Sequence, residues 1–268
     1  MNFDLELIKE YNKKRKLIIK DVISAKKENK TIALKKSTSN LFRNRKQENT
    51  KKIDVRQFNK VLYIDTEKLI VEVEGMTSYE DLVNSTLEYG LLPAVVPQLK
   101  SITIGGAISG IGIESSSFKF GLVHETIEEM EILLSDGRTI ICTKNNKYKD
   151  IFFGFPNSYG TFGYVLKVKV KLVRAKKYVK IKHVKYRNKN DYFKDINKLC
   201  IQNRKNGTIN YIDGTIFNEN EMYITLGEFV DEVPTVSNYK YLKIYYKSIK
   251  EKKIDYLTTS DYIWRWDT

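Results

Sequence analysis

Between Ile102 and Ser117 the chain carries Gly105, Gly106, Gly110 and Gly112 among small and apolar residues, with almost no bulk between them. A stretch this rich in glycine packs poorly as an ordinary helix or strand, so other groups are expected to approach its backbone closely. Two readings of the spacing stay open. Successive main-chain amides can form a concavity for an anion such as phosphate, or the run can be a tight loop where two layers of structure pack together. A dinucleotide fingerprint is rejected. Gly110 and Gly112 have the first two glycine positions, but Ser115 stands where the third belongs, and no clean buried strand precedes them.

The chain has 268 residues, 41% apolar and 12% aromatic, enough for one large core or two moderate ones. A net charge of +14 suggests nucleic acid or an anionic membrane if it is spread over one face. Its distribution is blocked instead. Residues 1–60 carry 18 Lys and Arg against 7 Asp and Glu, residues 61–137 carry 3 against 13, and residues 138–268 carry 26 against 13. The glycine run thus lies in an acidic block between basic flanks. No zinc-finger, helix-turn-helix or RNP-like pattern accompanies the lysines, so no nucleic-acid partner is expected and a basic nucleic-acid-binding module stays only a remote alternative. Cys142 and Cys200 have no metal or redox spacing and read as reduced core thiols. The N-terminus lacks the pattern of a signal peptide and no stretch of about 20 apolar residues is present to span a bilayer, which makes the cytoplasm the expected compartment. Phe3, Leu7, Ile8, Tyr11 and Ile18 form an amphipathic stripe suited to packing on a domain or, less commonly, touching a membrane surface.

The pattern predicts an N-terminal helix, a short strand at 31–34, and strands at Val61 to Asp65 and Leu69 to Val73. Thr77 and Glu80 have capping-box spacing before a helix that ends at Gly90. Asp136-Gly137 marks a two-residue hairpin. Residues 150–155 read as a short helix, and the alternation from Val165 to Leu172 reads as a strand with its lysines on a solvated face. The pattern resets near Tyr178 into a β-α-β-β series whose helix presents Phe193, Ile196, Leu199 and Cys200 on one face. A lysine-rich helix is predicted over 239–252, and the closing Trp264 and Trp266 need a partner segment to pack on. The expected units are an N-terminal helical extension (1–30), a first domain (31–177) and a partial second domain (178–268).

Val95 to Leu99, the Gly105-Gly106 pair, Gly112 to Leu122, Ser135 to Gly137 and Gly160-Thr161-Phe162-Gly163 together resemble the FAD-binding domain of the vanillyl-alcohol-oxidase type (PCMH-type). Within that superfamily the nearest resemblance is to the Δ24-sterol reductase group and its bacterial relatives, which the Ala175 to Lys180 junction also resembles. The resemblance covers residues 31–268. It implies an α+β fold: a two-lobed FAD-binding domain followed by a partial α/β cap domain with an antiparallel sheet. One pyrophosphate-contacting loop corresponds to Ser37, Thr38, Ser39, Asn40, Leu41 and Phe42. The second runs from Thr103 through Ile104, Gly105, Gly106, Ala107, Ile108, Ser109, Gly110, Ile111, Gly112, Ile113 and Glu114 to Ser115. The amides of Gly105, Gly106, Gly110 and Gly112 are expected to neutralise the diphosphate, with Thr103, Glu114 and Ser115 orienting nearby groups. Tyr164 and Val165 match where the family closes over the adenine side.

Some relatives attach flavin covalently through a histidine in the first loop. Residues 35–46 contain none, so FAD is expected to be held non-covalently. His124 reads either as a neighbour of the flavin or as a structural histidine, and His183 as part of a strand face. No catalytic residue and no metal ligand is assigned. The resemblance implies a flavin-dependent oxidoreductase that passes hydride between flavin and a small organic substrate, in the sterol-reductase direction to a carbon–carbon double bond, with NAD(P)H reducing the flavin. Family members continue past Trp264-Arg265-Trp266-Asp267-Thr268. The competing expectation is therefore a non-catalytic FAD-binding remnant, or one piece of a split enzyme with a separate C-terminal fragment as partner.

Overall fold

The computed structural model describes residues 5–36, 49–241 and 244–267. Helix α1 (Leu5–Lys27) places Tyr11, Lys14, Ile18, Val22 and Ala25 on one buried stripe. It stops where Asn29 adopts a left-handed conformation, φ 51°, and the amide of Lys30 donates back to the carbonyl of Ala25 at 3.0 Å, a Schellman-type end with asparagine in the usual glycine place. Strands β1 (Thr31–Lys35) and β2 (Thr50–Asp54) pair in parallel. Tyr11, Ile18 and Val22 share a core with Ile53, Val55, Phe58, Met76, Leu133 and Leu166. The helix is thus part of the first domain's interior rather than an extension from it; of the predicted stripe, Leu7 and Ile8 are half-buried and Phe3 lies outside the described residues.

Strands β3 (Val61–Asp65) and β4 (Ile70–Glu74) open the main sheet. Helix α2 (Tyr79–Leu87) is capped by Ser78, whose Oγ accepts from the amide of Asp81 at 3.1 Å, one residue later than the Thr77 to Glu80 spacing suggested. There follow β5 (Leu91–Pro93), α3 (Ile104–Ser109), α4 (Ser117–Phe120), β6 (Ile127–Leu133), β7 (Thr139–Thr143), α5 (Lys149–Gly154) and β8 (Tyr164–Arg174). The sheet order is β3-β4-β8-β6-β7, antiparallel throughout, with β5 beside β8. The turn between β6 and β7 has three residues rather than two: Leu134 and Arg138 bracket Ser135, Asp136 and Gly137, and Gly137 supplies φ 88°. The lysines of β8 face cross-strand acids rather than water alone. Lys167 pairs with Glu72 on β4, and Lys169 lies 2.9 Å from Glu129 on β6.

The second sheet comprises β9 (Tyr178–Tyr186), β10 (Tyr211–Asn218), β11 (Glu221–Val230) and β12 (Ile254–Thr258), in the antiparallel order β10-β11-β9-β12. Helix α6 (Lys189–Asn203) covers one face through Tyr192, Ile196, Leu199 and Cys200. Phe193, expected on that face, is 58% exposed, because the buried stripe passes through its neighbour Tyr192. Helix α7 (Tyr245–Glu251) is half the predicted length, and α8 (Thr259–Ile263) follows β12. The other face meets Tyr245, Tyr262 and Trp264, which belong to the same apolar cluster as Val71, Ile104 and Val168 of the first domain. The α+β architecture therefore has two sheet-bearing units and a core continuous between them. Cys142 is a buried free thiol, pushed up to about 11 by burial, and Cys200 is free and half-buried.

Two buried polar contacts invite measurement. Lys14 Nζ lies 2.6 Å from Glu74 Oε1 and donates to the carbonyl of Gln57 at 2.8 Å, with Glu74 wholly buried. Lys14→Met leaves that carboxylate unpaired and is expected to cost roughly 3–5 kcal/mol, read from urea unfolding. His183 is 5% exposed, is hydrogen-bonded through Nδ1 to Thr225 Oγ1 at 2.8 Å, and has its pKa held down to about 4 by desolvation. The unfolded chain takes up that proton near pH 6.5 and the folded chain does not, so stability is expected to fall as pH drops from 6.5 to 4. His183→Gln should flatten that part of a stability–pH profile.

Candidate functional site

A cavity of about 320 Å³ opens where the end of β4, the start of β8 and one side of α3 meet. Gly75 and Met76 form one wall, Tyr164 and Val165 another, and Thr103, Gly106 and Gly110 a third. Leu34 and Lys36 border it from β1, and Phe155, Tyr159 and Gly160 from the segment after α5. A second cavity of about 540 Å³ adjoins it beneath α1 and β1, and both touch Leu34, Gly160, Gly163 and Tyr164. The two form one elongated cleft.

The glycines at this cleft do different work. A Cβ on Gly75 would stand 2.1 Å from the carbonyl oxygen of Val165, and one on Gly105 would stand 2.7 Å from the carbonyl oxygen of Gly75. These two allow three backbones to touch. Gly106 and Gly110 are exposed at the cleft, and there a Cβ meets nothing closer than 3.0 Å. They leave bare main chain toward the space. The run is helical after all. Thr103 caps α3 through Oγ1, while Ile104, Ala107 and Ile108 face the core and offset the poor helix propensity of the glycines.

The amides expected to meet a diphosphate are largely committed. Gly105 N–H donates to Gly75 O at 2.9 Å, Gly110 N–H to Gly106 O at 2.9 Å, and Gly112 N–H to Ala107 O at 2.8 Å. Gly106 N–H has only the longer contact to Thr103 Oγ1, 3.3 Å. Glu114 and Ser115 are turned away from the cleft. The Glu114 carboxylate sits in a buried cluster 3.6 Å from Arg265 and accepts the amide of Ser115 at 2.8 Å, and burial raises it above the usual carboxylate range.

Of the residues singled out in sequence, Thr103, Gly105, Gly106, Ala107, Ser109, Gly110, Gly112, Tyr164 and Val165 border the cleft. Ile104 and Ile108 are core, Ile113 is 66% exposed, and Ile111 is not among the described lining residues. Ser37 to Phe42 lie outside the described residues. Neither His124 nor His183 borders either cavity. Gly75, Met76, Phe155 and Tyr159 went unnoticed in sequence; a lone glycine closing a strand at Gly75 was the one available signal.

Tyr164 is the polar group most plainly held for something else. Tyr164 borders both cavities, and its hydroxyl is buried with no hydrogen-bond partner. Burial, aided by Glu74, raises it well above the usual phenol range, so it remains a proton-bearing donor. Among the described residues no group of His, Cys, Asp and Glu is placed to hold a metal ion.

Residues 17–143 match the family described as FAD binding domain. A Delta(24)-sterol reductase of Pisum sativum is 40% identical over 129 residues, 48% of this chain and 23% of that protein. The Delta(24)-sterol reductase of Mus musculus is 31% identical over 204 residues, 75% of this chain and 38% of its own length. Cytokinin dehydrogenase 7 of Oryza sativa is 26% identical over 146 residues, 54% of this chain and 28% of its own. The chain spans less than half the length of each. The cleft fits such a cofactor: it is elongated, shows bare main chain at Gly106 and Gly110, has apolar walls at Pro97, Ile102 and Phe155, and holds the unpartnered Tyr164 hydroxyl.

The two kinds of glycine separate in a stability assay. Gly105→Ala drives a Cβ into fixed backbone and is expected to cost about 2 kcal/mol or more. Gly106→Ala is expected to stay within about 1 kcal/mol, since added helix propensity offsets the tight contact with Thr103. Chemical denaturation of both variants checks the difference.

Proposed function

We propose, from the match of residues 17–143 to the FAD binding domain family, that the chain holds FAD non-covalently in the cleft between α1, α3 and β8 as part of an oxidoreductase acting on a small organic substrate. The observation that carries this is a cleft lined by bare main chain at Gly106 and Gly110 and by Tyr164, whose buried hydroxyl has no partner. When bound, FAD supplies hydride exchange with the substrate. The protein's share is binding and exclusion of water. Gly106 and Gly110 admit a ligand to contact with main chain, Tyr164 donates a hydrogen bond to a ligand acceptor, and Pro97, Ile102 and Phe155 present apolar surface. The finer reading is reduction of a carbon–carbon double bond with NAD(P)H as reductant; the names of the similar sterol reductases support it. We place the protein in the cytoplasm, where free Cys142 and Cys200 stay reduced.

A second reading has a specific observation behind it. The matched regions cover 23–45% of the Delta(24)-sterol reductases' length, so the activity in those names belongs to proteins longer than the matched part, and FAD binding without turnover is the alternative.

The purified chain is expected to show a flavin absorbance spectrum that passes wholly into the supernatant after acid precipitation. Gly106→Val should lower flavin content at least about tenfold by placing a branched side chain in the cleft, and Tyr164→Phe by a factor of about 5 to 10, the value of one buried hydrogen bond. Unchanged retention in Gly106→Val would remove the cleft from consideration. Bleaching of the flavin by NAD(P)H favours the enzyme; a flavin that no reductant of that class bleaches favours the second reading.

A further inference from the structure

The outer face of α1 is a second feature with a chemistry of its own, independent of the flavin reading. Lys9, Lys13, Lys16, Lys20 and Lys27 are all exposed. At 100° per residue they fall within an arc of about 60°, in a line about 27 Å long. Their direction is fixed, because the opposite stripe of Tyr11, Ile18, Val22 and Ala25 is locked into the core. None of the five makes an ion pair with a described residue. Lysines elsewhere commonly do: Lys169 pairs with Glu129, Lys185 and Lys250 with Glu221, and Lys176 with Asp231. Three exposed acids share the helix: Glu10 is 3.7 Å from the buried Lys14, and Glu6 and Asp21 form no ion pair with any of the five lysines. Leu5 and Leu17 flank the line and are 66% and 53% exposed.

A straight row of unpaired ammonium groups calls for a surface with repeating negative charge. The two leucines decide which. An apolar side chain beside the row gains nothing from the phosphates of a nucleic-acid duplex, and the helix offers no exposed aromatic ring on which a base could stack. At a lipid headgroup layer the same leucines reach the acyl boundary while the lysines meet phosphates. We propose that the outer face of α1 binds the surface of an anionic phospholipid bilayer, lying parallel to it. No described helix is long and apolar enough to cross a membrane, so the contact is peripheral.

The test uses the full chain with sedimented vesicles of phosphatidylcholine alone or with 30 mol% phosphatidylglycerol, in about 0.1 M salt. The chain is expected to sediment with the anionic vesicles only and to be released at about 0.5 M salt. Replacing Lys9, Lys13, Lys16, Lys20 and Lys27 by Gln should lower the partition coefficient at least about a hundredfold. Leu5→Ser with Leu17→Ser should lower it several-fold. A control with the same charge loss elsewhere, Lys144, Lys149, Lys194, Lys198 and Lys205 to Gln, should change it by less than about threefold. Equal binding to neutral vesicles, an equal loss in the control, no loss in the α1 variant, or displacement by duplex DNA with the leucine variant unaffected would each overturn the proposal. Circular dichroism and the unfolding midpoint verify that the variants remain folded, which the outward position of all five lysines favours.

Discussion

Everything at the cleft depends on three backbones meeting where no Cβ fits. Gly75 N–H donates to Leu166 O at 2.9 Å, Gly105 N–H donates to Gly75 O at 2.9 Å, and Gly75 lies against the carbonyl of Val165. The end of β4, the start of β8 and the first turn of α3 are thereby fixed to one another by main-chain hydrogen bonds. Tyr164, Gly106 and Gly110 line the cavity that this contact frames. The side chains around it follow from packing: Ile104 and Ile108 face the core because Gly105 lets the helix approach, and Gly106 faces outward because Gly105 faces in.

The same logic explains what could be read from the sequence. Strand β8 is visible in period-two alternation, since Val168, Val170 and Leu172 turn to the core and its lysines away from it, and the Δ24-sterol-reductase-like motifs pointed to an FAD-binding domain that the match over residues 17–143 supports. The glycine run was read as irregular because glycine disfavours helix locally; Thr103 as cap and three core-facing residues outweigh that preference only in tertiary context. Glu114 lies next to the glycines in sequence yet turns toward Arg265, more than a hundred residues away, a contact that no local pattern encodes. Met76, Phe155 and Tyr159 border the cleft through long-range packing and had no motif to announce them. Phe193 failed for the opposite reason: two adjacent aromatics on α6 compete for one face, and Tyr192 occupies it.

Charge in this protein is best understood one element at a time. Helix α1 alone shows three regimes. Lys14 is buried against Glu74, Arg15 pairs with Glu131 at the margin of the sheet, and the outer lysines remain unpaired. The acidic block of residues 61–137 is not a separate acidic surface, because Glu72, Glu74, Glu129 and Glu131 are spent on basic residues from α1 and β8. The excess of positive charge is what remains after that internal neutralisation.

The buried Arg265 joins the two units by charge. Its guanidinium pairs with Asp213 of β10, faces Glu114 of the first unit at 3.6 Å and stacks over Tyr262 at 4.1 Å, while Asp267 accepts the amide of Lys100 at 2.8 Å. A rigid-body swing of one sheet away from the other would leave Arg265 with Asp213 but take the guanidinium away from the buried Glu114 carboxylate, a cost of several kcal/mol while that carboxylate stays in a low-dielectric interior. Hinge opening is therefore the wrong picture for traffic through this molecule. A ligand must enter by local rearrangement of the loops that rim the cleft, and its rate of exchange is governed by those loops rather than by domain motion.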